Sequence, residues 1–351
     1  MTQRVLIARL DSLGDVLLAG PCIRAVAAGA DSVTLLAGPL GAAAGPLLPD
    51  LDEVLIWRAP WIDPQPEPVG PAAVAELVER IRAGRFDRAL VLTSFHQSPL
   101  PLALLLRLAG VPWIGAICED YPGSLLDLRH SVDGDPPESE RALSLAEAAG
   151  FPLPAGDRGA LAVRRPLPEV AALTGPPGYV VVHPSASVPA RQPSAARSAA
   201  IVEALLAAGH RVVVTGGTAD RALTAEVATD RALDLGGTTT LAQLASVLDR
   251  ASAVVVPNTG PAHLAAAVGT PVISLFAPVV PAQRWAPHGV PTVLLGDQSA
   301  PCRGTRVREC PIVGHPCLES IQPDEVVTAV ARLAEPTTGA PQCRLTTGGV
   351  S

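Results

Sequence analysis

Two carboxylates, Asp11 and Asp15, flank Gly14 in the run Arg9-Leu-Asp11-Ser-Leu-Gly14-Asp15-Val-Leu, directly after the apolar segment Val5–Ala8. An acid at a strand-to-helix turn can take a proton as a general base. The same residues would also start a helix, with Asp11 or Ser12 as its cap and Asp15 in a first turn whose dipole favours negative charge. A second constellation is Val256-Pro-Asn258-Thr259-Gly260-Pro261-Ala-His263-Leu264. There a strand ends, the Thr-Gly turn lets backbone approach a ligand, and Pro261 sets the first helical turn without an N–H of its own. The neighbouring amides and the Thr259 hydroxyl are left for an anion such as a diphosphate. His263, one turn further, faces that anion or packs into the core.

Two more strand ends carry polar side chains. His183-Pro-Ser185-Ala-Ser187-Val-Pro-Ala-Arg191 supplies hydroxyls and one guanidinium, suited to a phosphate that departs with its charge, or to a solvated loop. Gly216-Gly217-Thr-Ala-Asp220 either accepts a ribose hydroxyl on Asp220 or forms a turn and helix cap. The segment Cys302-x7-Cys310-x4-His315-x-Cys317 contains four zinc-type ligands but no tight C-x-x-C pair, so buried thiols or a disulfide compete with a metal site. Asp133-Gly-Asp135 follows no strand signal and precedes Pro136-Pro137, which predicts a solvated loop rather than a metal motif.

These groups need a scaffold that presents strand ends to one place. Val5–Ala8, Val33–Ala37, Val54–Trp57, Ala89–Thr93 and Trp113–Ala116 read as strands, with helices starting near Gly14, Pro71, Pro99 and Glu138. The alternation resumes at Val180–Val182, Arg211–Thr215, Asp234-Leu235, Ala253–Val256 and Val272–Leu275, with helices from about Ser194, Ala219, Leu241 and Gly260. The expectation is α/β: two Rossmann-like domains, residues 1–160 and 179–334, with parallel sheets facing an interdomain cleft. A Pro/Gly-rich linker at 161–178 and a small, polar, disordered tail at 335–351 complete the division. Ligands in such folds sit beyond the carboxyl ends of the strands.

The chain has 351 residues, 48% hydrophobic and 17% charged, which describes large cores and excludes disorder as the main state. All 26 basic side chains counted as Lys or Arg are Arg, against 33 acids, and the net charge of −7 gives no field for nucleic acid. Charges at Arg4, Arg9 and Asp11 interrupt any secretory apolar run, so a cytoplasmic protein is expected. The apolar stretches Pro99–Cys118 and Leu264–Ala282 contain Arg107 with prolines and Gly269-Thr-Pro271, and read as buried helix-then-strand units; the surface around Leu100–Trp113 is alternatively a membrane-docking face. Six cysteines are too few for a disulfide scaffold of this size.

Taken jointly, Ser12-Leu-Gly-Asp15-Val-Leu17, His183-Pro-Ser185, Gly216-Gly217, Asn258-Thr-Gly-Pro-Ala-His263 through Gly269-Thr-Pro271, Phe276-Ala-Pro278 and the cysteine segment resemble glycosyltransferase family 9, the ADP-heptose:lipopolysaccharide heptosyltransferases. The resemblance runs from residue 4 to about 333. It implies the GT-B fold, with acceptor in the N-terminal domain near Asp11, Ser12 and Gly14 and donor in the C-terminal one. It further implies a metal-independent, inverting transfer of a heptose or related sugar from an ADP-sugar co-substrate to a glycan or glycolipid acceptor, with no cofactor required and peripheral contact with the inner face of the membrane. Asp15 matches the family's proposed base, Arg191 a basic residue on the diphosphate, and Thr259, Gly260 and His263 its phosphate turn, with Ser185 and Ser187 on a hydroxyl-bearing loop and Gly217, Asp220 and Leu241 toward the nucleoside. Asn258 departs from the acid that many relatives carry there. A nucleotide-sugar epimerase, or a non-catalytic sugar-nucleotide binding protein, would use the same scaffold; a dehydrogenase is disfavoured because neither half has a glycine fingerprint.

Overall fold

The computed structural model describes residues 3–334, so the 335–351 tail and Cys343 lie outside it. The first half alternates strands β1 (Arg4–Arg9), β2 (Ser32–Ala37), β3 (Glu53–Ile56), β4 (Arg88–Leu92), β5 (Trp113–Ile117) and β6 (Leu128–His130) with helices. The second repeats the plan with β7 (Tyr179–Val182), β8 (Val212–Val214), β9 (Leu233–Asp234), β10 (Ala251–Pro257), β11 (Val272–Leu275) and β12 (Thr292–Leu295). Each sheet is six-stranded, ordered β3-β2-β1-β4-β5-β6 and β12-β11-β10-β7-β8-β9, and every strand pairs in parallel. The order reverses direction between β1 and β4 and between β7 and β10. Such switch points are where neighbouring connections diverge to opposite faces and leave a crevice.

The central strands are apolar on both faces because helices cover both. Val5, Leu6, Ile7, Val254, Val255 and Val256 are all fully buried. Edge strands β6 and β12 went unread in the sequence; β6, Leu-Arg-His, has no apolar run and gains its identity only by pairing with β5. Pro99–Cys118 and Leu264–Ala282 are helix-then-strand units, with Leu102, Ala103, Leu105 and Leu106 buried under the first while Leu104 and Leu108 face outward. Among the described residues no helix is long and apolar enough to cross a membrane.

One helix departs from expectation for a plain steric reason. The helix expected from Gly14 divides into Leu13–Leu18 and Gly20–Ala27, because Pro21 lacks the N–H that would continue the ladder and its ring crowds the preceding turn. The connector at 161–178 is not a loose tether: Leu161, Val163 and Val170 are buried in a cluster that also holds Leu17, Ile23, Tyr179 and Leu264. Arg164 donates to the carbonyl of Leu51 in the first half (2.9 Å), whereas Arg165 pairs with Asp249 in the second (2.6 Å). One apolar cluster therefore runs through both halves and fixes their relation.

Candidate functional site

The four strands at the two switch points deliver every principal candidate residue. Asp11, Ser12, Gly14 and Asp15 follow β1; Thr93 to Gln97 follow β4; His183, Ser185, Ser187 and Arg191 follow β7; Asn258, Thr259, Gly260 and His263 follow β10. The helices Leu13–Leu18 and Gly260–Val268 meet start to start, one from each half. A Cβ at Gly14 would lie 2.9 Å from His263 Cδ2, and one at Gly260 would lie 2.7 Å from Leu13 Cδ2. Glycine at both positions is what allows the two backbones to approach.

On the N-terminal side the anchor is Arg9, a fully buried arginine at the end of β1. Its Nη2 donates to Asp15 Oδ1 (2.8 Å) and to Ser94 Oγ (3.0 Å), its Nε lies 3.0 Å from Asp11 Oδ2, and Nη1 lies 3.6 Å from the buried Glu138. Asp15 Oδ2 accepts from the Ser12 hydroxyl (2.6 Å) and amide (3.2 Å), so Asp15 sits in a capping arrangement and is also tied to the arginine. Burial pushes the Asp15 carboxyl up, but Arg9 and Ser12 outweigh it and hold Asp15 below the ordinary carboxylate range. Asp11 behaves oppositely: burial lifts it to about 6, Arg9 opposes this, and Asp15 adds like-charge repulsion. Gln97 Nε2 donates to Asp11 Oδ1 (2.5 Å), leaving Oδ2 without a hydrogen bond.

On the C-terminal side Asn258 and His263 are buried, Thr259 and Gly260 half-buried. Asn258 Nδ2, His263 Nδ1 and Arg191 Nε are buried with no protein partner. Buried polar atoms are nearly always paired, so two orphans around one helix start, with a third on Arg191 near enough to act on His263, describe a place built for a polar ligand. Burial lowers the His263 imidazole to about 4, which keeps it neutral, although Asp15 across the crevice pulls the other way. Burial also weakens the Arg191 guanidinium's charge preference, opposed by Asp15 and reinforced by Arg306 and Arg308. Asp15, His263 and Arg191 thus feel one another across the boundary.

The remaining candidates divide. Ser185 is buried in a chain running from Thr215 Oγ1 to His183 Nδ1 (3.0 Å), His183 Nε2 to Ser185 Oγ (3.1 Å) and Ser185 Oγ to Asp220 Oδ2 (2.8 Å). Asp220 Oδ2 also accepts the Gly217 amide (2.7 Å), so this carboxylate forms the turn as well as facing the β8 end. Ser187 is exposed, and Leu241 is half-buried at the start of its helix behind Thr240, whose hydroxyl caps it. Asp133-Gly-Asp135 lies in a loop with Asp133 and Gly134 exposed, and the half-buried Asp135 pairs from it with Arg284 of the other half.

Cys302 and Cys317 are buried and Cys310 partly so, all free thiols. Burial lifts Cys317 to about 12, with Cys302 and Cys310 adding to it. His315 turns its Nε2 to the Ala190 carbonyl instead (3.1 Å), and among the described residues no group of three or more His, Cys, Asp or Glu is arranged to hold a metal. Sequence reasoning did not find Arg9, Ser94, Gln97 or Glu138. Only Arg9 leaves a trace, as a charge ending an otherwise apolar strand.

Residues 74–314 match the family described as glycosyltransferase family 9 (heptosyltransferase). A stretch of 104 residues is 38% identical to lipopolysaccharide heptosyltransferase 3 of Escherichia coli, covering 28% of this chain and 31% of that protein. Among solved structures, E. coli ADP-heptose lps heptosyltransferase II superposes with TM-score 0.73 at 19% identity, covering 95% of this chain and 98% of the other. The family 9 glycosyltransferase of Veillonella parvula gives 0.74 at 17%, covering 95% and 97%. E. coli heptosyltransferase WaaC with ADP-2-deoxy-2-fluoro heptose gives 0.70 at 18%, covering 94% and 99%. At these identities the likeness is one of fold, and the fold is GT-B.

Proposed function

The chain belongs to glycosyltransferase family 9, and on that premise we propose that it transfers a heptose or related sugar from an ADP-sugar to a glycan or glycolipid of the cell envelope, with inversion and without a metal ion. The observation that carries this reading is the pair of orphaned polar atoms on Asn258 and His263 around the start of Gly260–Val268, with the orphaned Arg191 close enough to act on the His263 charge and the ionised Asp15 opposite. Lipopolysaccharide is the acceptor class favoured by the names of the relatives.

In this reading the donor diphosphate lies on the Thr259 hydroxyl and the free amides of that helix, with Arg191, Asn258 and His263 around it. Ser185, Ser187, Gly217, Asp220 and Leu241 border the path toward the nucleoside. The acceptor enters over Asp11, Ser12 and Gly14. Its hydroxyl attacks C1 from the face opposite the diphosphate; the C1–oxygen bond to phosphate breaks, its electron pair leaves with ADP, and the hydroxyl proton passes to Asp15. Held below the ordinary range, Asp15 is a weak base toward a resting alcohol and takes the proton late, once bonding to C1 has made the hydroxyl acidic. Arg191 and the helix amides supply positive charge to the leaving group, the task a metal ion performs elsewhere.

A cytoplasmic enzyme touching the inner membrane face through Leu104 and Leu108 is the matching arrangement for a lipid-linked acceptor. Thermal-shift measurements with ADP, UDP and GDP test the donor assignment. A ligand at a hundred times its dissociation constant stabilises by about 2.7 kcal/mol, so ADP should raise the melting temperature by several degrees, more than UDP or GDP. No shift with any nucleoside diphosphate would overturn the reading.

A further inference from the structure

Arg306, between Cys302 and Cys310 of the cysteine segment, is none of that segment's thiol or imidazole groups, yet it enters the crevice from there. Its backbone has φ 59°, a left-handed conformation unusual for a residue with a side chain, and is pinned by its N–H to the Val279 carbonyl (2.9 Å). From there the guanidinium spans the two halves. Its Nη2 lies 2.7 Å from His96 Nε2 in the loop after β4, and its Cζ sits 4.8 Å from the centre of the Phe95 ring. Two residues on, the Arg308 carbonyl accepts the Ala190 N–H (2.8 Å), which fastens this segment to the turn that bears Arg191.

Among the described residues neither Arg306 nor Arg191 has a carboxylate within ion-pair distance. Arg306 and Arg308 instead crowd Arg191 with like charge, while Asp11 is the acid that Arg306 feels most. Two guanidiniums that repel each other, each acted on by an acid of the crevice but joined to none in an ion pair, form a site that an anion of high charge density would complete. His96 suits a temporary partner: burial first and Arg306 second lower its imidazole to about 4, so it accepts a hydrogen bond while neutral. Releasing Arg306 from His96 leaves no charge unpaired.

We infer that Arg306 is a catalytic residue: a second guanidinium that, with Arg191, holds the departing diphosphate, and that rests on His96 and Phe95 when the site is empty. This rests on the donor reading above. Calorimetric titration of the full chain with ADP, UDP, GDP and AMP tests it on wild type, Arg306→Gln, Arg306→Lys and Arg306→Gly. The glycine variant separates function from folding, because glycine adopts positive φ without strain and should melt no lower than wild type. The expected result is at least tenfold weaker ADP binding in the Gln and Gly variants, less than threefold change for AMP, and partial recovery in the Lys variant. A wild type that binds ADP with the Gln and Gly variants within twofold of it overturns this inference alone, including the case where Arg306 serves the acceptor instead. A wild type that binds none of the diphosphates overturns the donor reading with it.

Discussion

Asp11 and Asp15 share one guanidinium, yet their environments push them apart. Asp15 has both oxygens occupied by Ser12 and Arg9, whereas Asp11 keeps one oxygen free of hydrogen bonds and is lifted toward neutrality by burial. Arg9 is therefore the residue on which the acidic cluster depends. Replacing it in Arg9→Met would leave Asp11, Asp15 and Glu138 without their common counter-ion, and removal of one member of a buried charge network costs about 3–5 kcal/mol. Denaturant unfolding should show that loss; a change under about 1 kcal/mol would mean that the cluster relaxes to water on its own. Asp15, Thr259 and His263 could be singled out in sequence as candidates because each lies at a strand-to-helix turn of recognisable composition or in the first turn of the helix that follows. Glu138 and Gln97 were not, because they reach Arg9 and Asp11 only when β4 and the helix Glu138–Ala148 stack beside β1, a juxtaposition no local window contains.

The two helix starts make a demand on volume that is independent of charge. Gly14→Ala places a methyl 2.9 Å from His263 Cδ2, where the ring is buried and flanked by Gly260. Overpacking of this kind costs roughly 1–3 kcal/mol, and because it pushes the halves apart it should also weaken ADP binding, readable as a lower melting temperature together with a higher dissociation constant. A variant with unchanged melting and unchanged affinity would show that the halves do not close on each other at this point. The alternation of strands and helices was readable, since buried parallel strands are continuous apolar runs and several of the intervening helices, such as Pro71–Gly84, Leu100–Leu108 and Gly260–Val268, carry a proline in their first turn. What escaped were elements that tertiary contact creates: the short edge strands β6 and β12, the break at Ala19 before Pro21, and the packing of the connector through Leu161, Val163 and Val170.

Across the whole molecule, proton balance follows from which histidines are buried. His183 and His263 each drop to about 4 through burial, so between their ordinary value of 6.5 and about 4 the unfolded chain binds more protons than the native one. Stability is therefore lost as pH falls through that window. Asp11 opposes this: lifted from 3.8 to about 6, it makes the native chain the better proton binder between those values. Unfolding free energy should thus decline from pH 7 to 4.5, and decline more steeply in Asp11→Asn. A flat profile, or a shallower one in that variant, would contradict the burial of these groups. The halves are further joined by Arg284, which pairs with Asp135 and stacks 4.1 Å from the Phe95 ring, so the same molecule-wide closure that buries His263 also assembles the crevice.

Turnover of an ADP-sugar by Asp15→Asn measures most directly the division of labour across that crevice. With donor and a heptose-accepting glycolipid supplied, the variant should lose at least a thousandfold in kcat, in line with a general base and its charge being removed together, while ADP binds within about twofold of wild type, since the diphosphate is held from the other half. Full turnover in Asp15→Asn, or an equal collapse of ADP affinity, would contradict it.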